Sequence, residues 1–366
     1  MRIVIVAISF CEYLIQQANG LAALGHNVLL VMPSSLVQRT VGDDIGGLIA
    51  PGVECFANTE ERPWKLAYYS NLIRAVSSFG PDLFHIHDNG EMSTLVLLLF
   101  FRAMPLVVTV HDVTTHPGAD SQIKMRRRSI KRFLKSRAAV IHLHGKTLCM
   151  DFKKRYPRLA EKAAVVPHGT LSIFKYWDNK TIEQEATTCL FFGRMEKYRG
   201  LDNLLKIGEI LKETVPGIKI IVAGRGPELE KNKAEMMISG IFEIHDSFIP
   251  NRDIPLYFRR ASLLLLPYHE ASQSGVVSMG FPFGTPIVAT RVGSIPEVVL
   301  DGKHGVIVEP GDNPAFAEAV RDLLLNKPKL KQMSAHCLES AKMLDFDTLA
   351  VDFEGLYEKA IRRKNV

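Results

Sequence analysis

The sequence predicts an α/β protein built from two Rossmann-like halves that face each other across a cleft, and three observations predict it. Short apolar, β-branched runs alternate with helical patterns, as in parallel sheets covered by helices. That alternation stops in a polar, irregular stretch at 170–188 and then begins again. The length of 366 residues corresponds to two domains at about 150 residues each.

In the first half the strands fall at Ile3–Ile8, Val28–Met32, Leu83–His87, Leu106–Val110 and Val140–Leu143, each a compact apolar run. Met1–Cys11 reads as a buried first strand better than as a lipoprotein signal, because its apolar run is brief and has one charge before it. Helical patterns intervene at Tyr13–Leu24, stopped by Gly25, and at Trp64–Ser77, ahead of Gly80-Pro81. Glu91–Arg102 is apolar enough to predict a buried helix. Val165-Val166-Pro167-His168-Gly169 reads as a last strand entering a turn.

The second half opens with a strand at Cys189–Phe192 and a helix at Gly200–Lys212. Ile218–Ala223 is a strand closed by Gly224-Arg225-Gly226-Pro227 and followed by a Glu/Lys-rich helix. Phe248-Ile249-Pro250 closes another, and Ser262–Pro267 is fully apolar. Pro286–Thr290, Gly305–Val308 and the helix Pro314–Leu325 follow. The expected organisation is one domain over 1–170, a linker over 171–188, a second domain over 189–345 and a final helix over 346–366.

Composition removes several classes. A 47% hydrophobic, 23% charged chain is that of a globular protein and excludes disorder, collagen and coiled coil. Its five cysteines (Cys11, Cys55, Cys149, Cys189, Cys337) are scattered, odd in number and form no C-x-x-C pair, which argues against a disulfide framework or structural zinc and suits a reducing cytoplasm. The most apolar stretch, Leu95–Phe101, is far shorter than the roughly 20 residues of a membrane span. A net charge of +6 suggests a basic protein. However, nine Lys or Arg and no acid lie between Ser121 and Met150, so that window alone carries +9 and the rest of the chain is slightly acidic.

In open α/β sheets ligands sit at the carboxyl ends of the strands, and several of these ends carry polar or glycine-rich turns. Leu83–His87 runs into Asp88, Leu106–Val110 into His111-Asp112, and Cys189–Phe192 into Gly193-Arg194. Ile218–Ala223 runs into Gly224-Arg225-Gly226-Pro227, and Ser262–Pro267 into Tyr268-His269-Glu270-Ala271-Ser272-Gln273-Ser274-Gly275-Val276. Guanidinium forks and the free N–H groups of a helix start both suit phosphate oxygens. His85 and His87 share one face of a strand. Without further ligands at metal spacing they read as hydrogen-bonded structural histidines.

With these residues in order, the chain resembles the GT-B glycosyltransferases of glycosyltransferase family 4. The resemblance rests on FHIHD (84–88), VVTVHD (107–112), VVPHGT (165–170), FFGRMEKYRGLDNLL (191–205), IIVAGRGPELE (220–230) and the long segment 263–312, which is the most specific. It implies a GT-B fold, retaining transfer from a nucleoside-diphosphate sugar, no cofactor and no metal. It also implies a last helix, after Asp345-Phe346-Asp347-Thr348, that crosses back onto the first domain. Arg194 matches the family arginine on the donor diphosphate, and Arg199, ahead of Gly200, stands where the family has a lysine. Gly193, Gly226 and the helix start Ser274, Gly275 and Val276 fall in the donor-binding segments, and Ile249 in the loop that cradles the base. His111 matches the catalytic histidine at the floor of the cleft. Asp112 beside it either orients it or caps the next segment.

One segment departs from the family pattern. Its two glutamates, eight positions apart, align with Ala271 and Met279. Glu270 misses the first position by one residue and is carried over as the sugar-binding, catalytic carboxylate. The ribose glutamate has no counterpart, and Ser278 is its only polar neighbour. Pro282 should end the following helix early.

The basic window has three readings: a solvated helix face, a nucleic-acid surface and a membrane-surface helix. Ile123, Ile130, Phe133 and Leu134 fall on one face at helical spacing. Nucleic acid would call for interleaved aromatics, so the membrane reading is preferred, with Lys124, Arg126, Arg127, Arg128, Lys131, Arg132 and Lys135 as its docking residues. The expectation is therefore a transferase on the inner face of the cell membrane, using a nucleotide-sugar donor and a glycan or lipid-linked acceptor, with no nucleic-acid partner. A non-catalytic nucleotide-sugar or glycan-binding protein is the alternative. A nicotinamide oxidoreductase ranks below both, since no G-x-G-x-x-G follows the first strand.

Overall fold

Strands form where the chain can bury residues on both faces, and helices where only one stripe is apolar. The computed structural model describes residues 1–58, 66–88, 90–113, 125–179 and 181–364. They form two compact units. The first contains 1–113, 125–169 and 344–364, and the second 170–343.

The first unit holds a seven-stranded parallel sheet made of β1 (Arg2–Val6), β2 (Asn27–Pro33), β3 (Val53–Asn58), β4 (Leu83–His87), β5 (Leu106–Thr109), β6 (Val140–Leu143) and β7 (Ala163–Val165). Its order is β3-β2-β1-β4-β5-β6-β7. Ile3 lies between Val28 and Leu83 in register, and Val107 beside Val140. The second unit holds a six-stranded parallel sheet of β8 (Thr188–Phe192), β9 (Lys219–Ala223), β10 (Phe242–His245), β11 (Leu263–Leu266), β12 (Ile287–Thr290) and β13 (Gly305–Val308), in the order β10-β9-β8-β11-β12-β13. Both sheets are doubly wound. Their strand orders reverse between β1 and β4 and between β8 and β11, which places crevices at the carboxyl ends of those strands.

Several elements differ from expectation. β3 is an edge strand whose Glu54 and Asn58 break the apolar run, and it is absent from the sequence reading. The helix Met92–Phe100 is not wholly buried. Thr94, Leu97 and Leu98 face inward while Leu99 and Phe100 are exposed, because only one face meets the sheet. Phe248-Ile249-Pro250 does not close a strand; β10 ends at His245, and the segment forms the loop beyond it. Residues 170–187 are no loose tether. The Thr170 hydroxyl donates to Ala341 O at 2.9 Å, the Leu171 N–H donates to Ser278 O at 2.8 Å, and Arg260 donates to Glu185. Lys124, Ile123 and the start of the expected helix at Trp64 lie outside the described residues.

The final helix, Phe346–Lys364, packs against Cys11–Ala23 within the first unit. Gly20 is required there, since a Cβ would sit 2.4 Å from Phe346 O. This helix also closes a buried polar chain whose hydrogen directions follow from its ends. His142 Nε2 lies 3.1 Å from Val166 O, and a carbonyl only accepts, so this nitrogen carries the proton. Burial pushes His142 down to about 4, so the ring is neutral and its Nδ1 accepts from the Thr109 hydroxyl at 2.8 Å. Thr109 then accepts from His85 Nε2–H at 2.6 Å. The bare His85 Nδ1 accepts from the Tyr357 hydroxyl at 2.8 Å and the Gln17 amide at 3.3 Å. An amide nitrogen can only donate, so the two ends of the chain agree. Buried polar groups are costly unless paired, and this chain pairs both nitrogens of two histidines across β4, β5 and β6.

Candidate functional site

In the second unit the residues expected at the donor meet where the strand order reverses. Arg199 lies on a short turn (Lys197–Arg199) just before the helix Leu201–Thr214. Its Nη1 donates to Phe192 O at 3.0 Å and to the Tyr268 hydroxyl at 2.8 Å, and its Nε reaches the Tyr198 hydroxyl at 3.4 Å. The guanidinium carbon lies 5.3 Å from the Tyr268 ring centre and 5.7 Å from that of Tyr198, within cation–π range. Among the described residues no carboxylate lies within 4 Å of it. Arg194 is exposed and approaches the same Tyr198 hydroxyl at 3.4 Å, so one phenol ties the two arginines together. Burial pushes the Tyr268 phenol above its ordinary value, which keeps it neutral beside the cation.

Glycines let the loops after β8 and β9 touch. Gly224 has φ 144°, and a Cβ there would lie 1.9 Å from Gly193 O. At Gly226 it would lie 2.6 Å from Met195 O. Gly226 thus serves loop packing, whatever it does for a ligand. The loop after β11 joins the same group, because Tyr198 O accepts the N–H of His269 at 2.8 Å and of Glu270 at 3.3 Å. Glu270 is exposed. His269 also pairs with Asp202 at 2.8 Å. Gly275 opens a six-residue helix, Gly275–Gly280, with nothing within 4 Å of a Cβ there, and Ser274 lies beside the Tyr268 phenol. Val276 is buried, as is Ile249 in the loop past β10. The helix does end early, passing into a turn at Phe281–Phe283 around Pro282. Ser278 is 4% exposed, and its carbonyl accepts the N–H of Leu171 at 2.8 Å.

Tyr198 and Tyr268 went unnoticed in the sequence. The only signal was an aromatic residue between two cations at Lys197-Tyr198-Arg199.

In the first unit, His111 lies two residues past β5 and accompanies five more histidines. His111 Nε2 is 2.9 Å from His87 Nδ1. Its ring lies 4.4 Å from Phe10 and 5.0 Å from His144, centre to centre, and His144 lies 5.0 Å from His168. Phe10 follows β1 in a left-handed conformation, φ 65°, which costs a non-glycine residue about 1–3 kcal/mol. Burial lowers all six imidazoles, His85, His87, His111, His142, His144 and His168, below the ordinary 6.5. Among the described residues no group of three metal-ligating side chains is arranged to hold an ion.

The basic window forms the helix Met125–Arg137, and the structure divides its docking set. Lys135 is buried and pairs with Asp88 at 2.6 Å, with Lys131 3.8 Å away, while Arg127 pairs with Glu91 at 2.6 Å. Lys135 serves the fold, whereas Arg127 keeps about half of its side chain exposed, at 48%. Arg126, Arg128 and Arg132 are exposed. Arg127 reaches Glu91, just before the helix Met92–Phe100, and Arg137 donates to Met104 O at 3.0 Å, just beyond it. Leu99, Phe100, Met125 and Phe133 are exposed as well. No helix among the described residues is long and apolar enough to cross a membrane.

Comparison with known proteins follows the same division. Residues 12–170 match the family model Glycosyltransferase Family 4, and 186–326 match Glycosyl transferases group 1. D-inositol 3-phosphate glycosyltransferase of Corynebacterium diphtheriae is 25% identical over 95% of this chain and 89% of its own. Two solved structures share the fold: sucrose-phosphate synthase from Thermosynechococcus elongatus (TM-score 0.70, 15% identity, 98% of both chains) and Anabaena HepE in complex with UDP-glucose (TM-score 0.69, 16% identity, 97% of this chain and 98% of that one).

Proposed function

The chain is a GT-B glycosyltransferase related to family 4, and from that premise we propose that it transfers a sugar from a nucleoside diphosphate to a lipid-linked glycan, with retention at the anomeric carbon. One observation carries the donor assignment. Arg199 is held by two phenols and a carbonyl with no carboxylate within 4 Å among the described residues, so its charge is left for an anion, and Arg194 adds a second cation. The UDP-glucose in the HepE complex is an anion of the right class.

In this reading the acceptor hydroxyl attacks the anomeric carbon from the side the diphosphate leaves. The C–O bond to phosphate breaks as the new glycosidic bond forms, and the hydroxyl proton passes to a phosphate oxygen of the leaving group. Arg194 and Arg199 offset the charge that develops on the diphosphate, so the reaction calls for neither metal nor cofactor. Glu270 holds sugar hydroxyls, Ser274, Gly275 and Val276 meet the phosphates, and Ile249 lies against the base. The test is a donor panel. UDP-, GDP- or ADP-sugars should raise the melting temperature, and the glycosidic product should keep the donor's anomeric configuration by NMR. Stabilisation by NAD alone, or an inverted product, sinks the proposal.

Arg126, Arg128 and Arg132, with Met125 and Phe133 of the same helix, form the docking face in this reading and place the enzyme on the inner face of the cell membrane. At about 1 kcal/mol per basic residue near an anionic surface, reversing all three to Glu should weaken binding to phosphatidylglycerol vesicles at least a hundredfold while leaving donor affinity unchanged. Undiminished vesicle binding in a sedimentation assay would leave the helix as a solvated face.

A further inference from the structure

Two segments of the second unit meet beyond the carboxyl ends of β8 and β11: the turn that carries Arg199 and the loop that leaves β11. Arg199 Nη1 donates to the Tyr268 hydroxyl at 2.8 Å, and a Cβ on Gly200 would fall 1.9 Å from Pro267 O. Asp202 and Asn203, in the first turn of Leu201–Thr214, add a further tie through His269. Asn203 Nδ2 lies 3.2 Å from Pro267 O and 3.4 Å from His269 Nδ1, and His269 Nε2 lies 2.8 Å from Asp202 Oδ1. A carbonyl only accepts, so Asn203 presents its amide nitrogen to Pro267. That nitrogen only donates, so His269 Nδ1 is bare and the ring carries its proton on Nε2, where the Asp202 carboxylate accepts it. Both ring nitrogens of His269 are thus engaged by one helical turn, 66 and 67 positions away in the chain.

We propose that His269 is a positioning residue for Arg199, and that its bonds to Asp202 and Asn203 hold the Tyr268 phenol against the guanidinium. This rests on the reading of Arg199 as a cation for the donor diphosphate and adds what keeps that cation aligned. The loop has a fixed base on the sheet, because the Thr290 hydroxyl donates to Tyr268 O at 2.6 Å. With that base fixed, the His269 side chain sets the spacing between the loop and the Arg199 turn. Tyr268 is buried at 1% exposed, whereas the His269 and Asp202 side chains are 37% and 48% exposed. Exposed pairs add little to folding, so removing this one separates alignment from stability. Preorganised charge counts most when the leaving diphosphate carries its full charge, so misalignment should appear in turnover before it appears in affinity.

His269→Ala should lower kcat on the order of tenfold. Calorimetric affinity for the nucleoside diphosphate selected by the donor panel should change about twofold at most, and the melting temperature by about 3 °C at most. His269→Gln, whose amide places an N–H near the position of Nε2, should recover most of the lost turnover. Made in the Arg199→Ala background, His269→Ala should cost nothing further, because the group it aligns is gone. Full turnover in His269→Ala, the same loss in both backgrounds, or equal losses in the Ala and Gln variants would each overturn the proposal. Nitrogen-15 NMR of the Arg199 Nε–H, assigned by its absence in Arg199→Ala, gives a readout apart from turnover. That group should lose order in His269→Ala and regain it in His269→Gln; an unchanged signal also overturns the proposal. If the signal responds but Arg199→Ala keeps full turnover, the clamp stands and the diphosphate reading of Arg199 falls.

Discussion

Arg199→Ala is expected to lower kcat/KM for the sugar nucleotide by two to three orders of magnitude, about the loss seen when one preorganised donor to a developing oxyanion is removed. The argument rests on how the residue is held. Its guanidinium is fixed by Phe192 O, Tyr268 and Tyr198, so no side-chain freedom has to be lost when the diphosphate leaves. Arg199→Lys keeps the charge but loses the planar fork. It should recover only part of the loss, because an ammonium has three N–H groups for four acceptors, namely two phenols, the Phe192 carbonyl and the anion. Tyr198→Phe should weaken the effect of both arginines together, since its hydroxyl faces each of them. Steady-state kinetics with calorimetric titration of the nucleoside diphosphate checks all three. Wild-type values for Arg199→Ala would remove the donor site from this sheet edge.

Asp88→Ala should destabilise the first unit by about 3–5 kcal/mol, the usual result of breaking a buried ion pair by deleting one partner. Lys135 and Asp88 have side chains 8% and 4% exposed and meet at 2.6 Å. Deleting the carboxylate strands a buried ammonium and leaves Lys131 facing it. The double variant Asp88→Leu with Lys135→Met should be far less damaged, because it removes the charge along with its partner. Denaturant midpoints distinguish the cases. A single variant as stable as the wild type would mean that water reaches Lys135.

The central strands were legible because burial on both faces writes them as continuous apolar runs; Leu83–His87 and Val140–Leu143 fall where expected. β3 was not, since an edge strand needs only one apolar face. The helix Lys327–Met343 was missed for a related reason. Its buried positions Met333, Cys337, Ser340 and Ala341 make a narrow, partly polar stripe in a polar sequence. Motif order singled out Arg194, Arg199 and His111, but not the groups that hold them, because Tyr268 lies 69 positions from Arg199 and no local pattern carries that contact. The same blindness inflated the basic window. Counted along the chain it has no acid, yet Asp88 and Glu91, from the end of β4 and the turn after it, neutralise part of it in space.

Tyr357 begins the buried hydrogen-bond chain through His85, Thr109 and His142, and it belongs to the last helix. A ribosome finishes β1 to β7 long before it makes that residue, and it makes the whole of the second unit in between. The unit begun first is therefore completed last. Until Phe346–Lys364 emerges, His85 lacks its phenol, Gly20 its neighbour and the sheet its cover. During synthesis the second unit can close on its own segment, while the first unit keeps an open polar core until its last helix arrives.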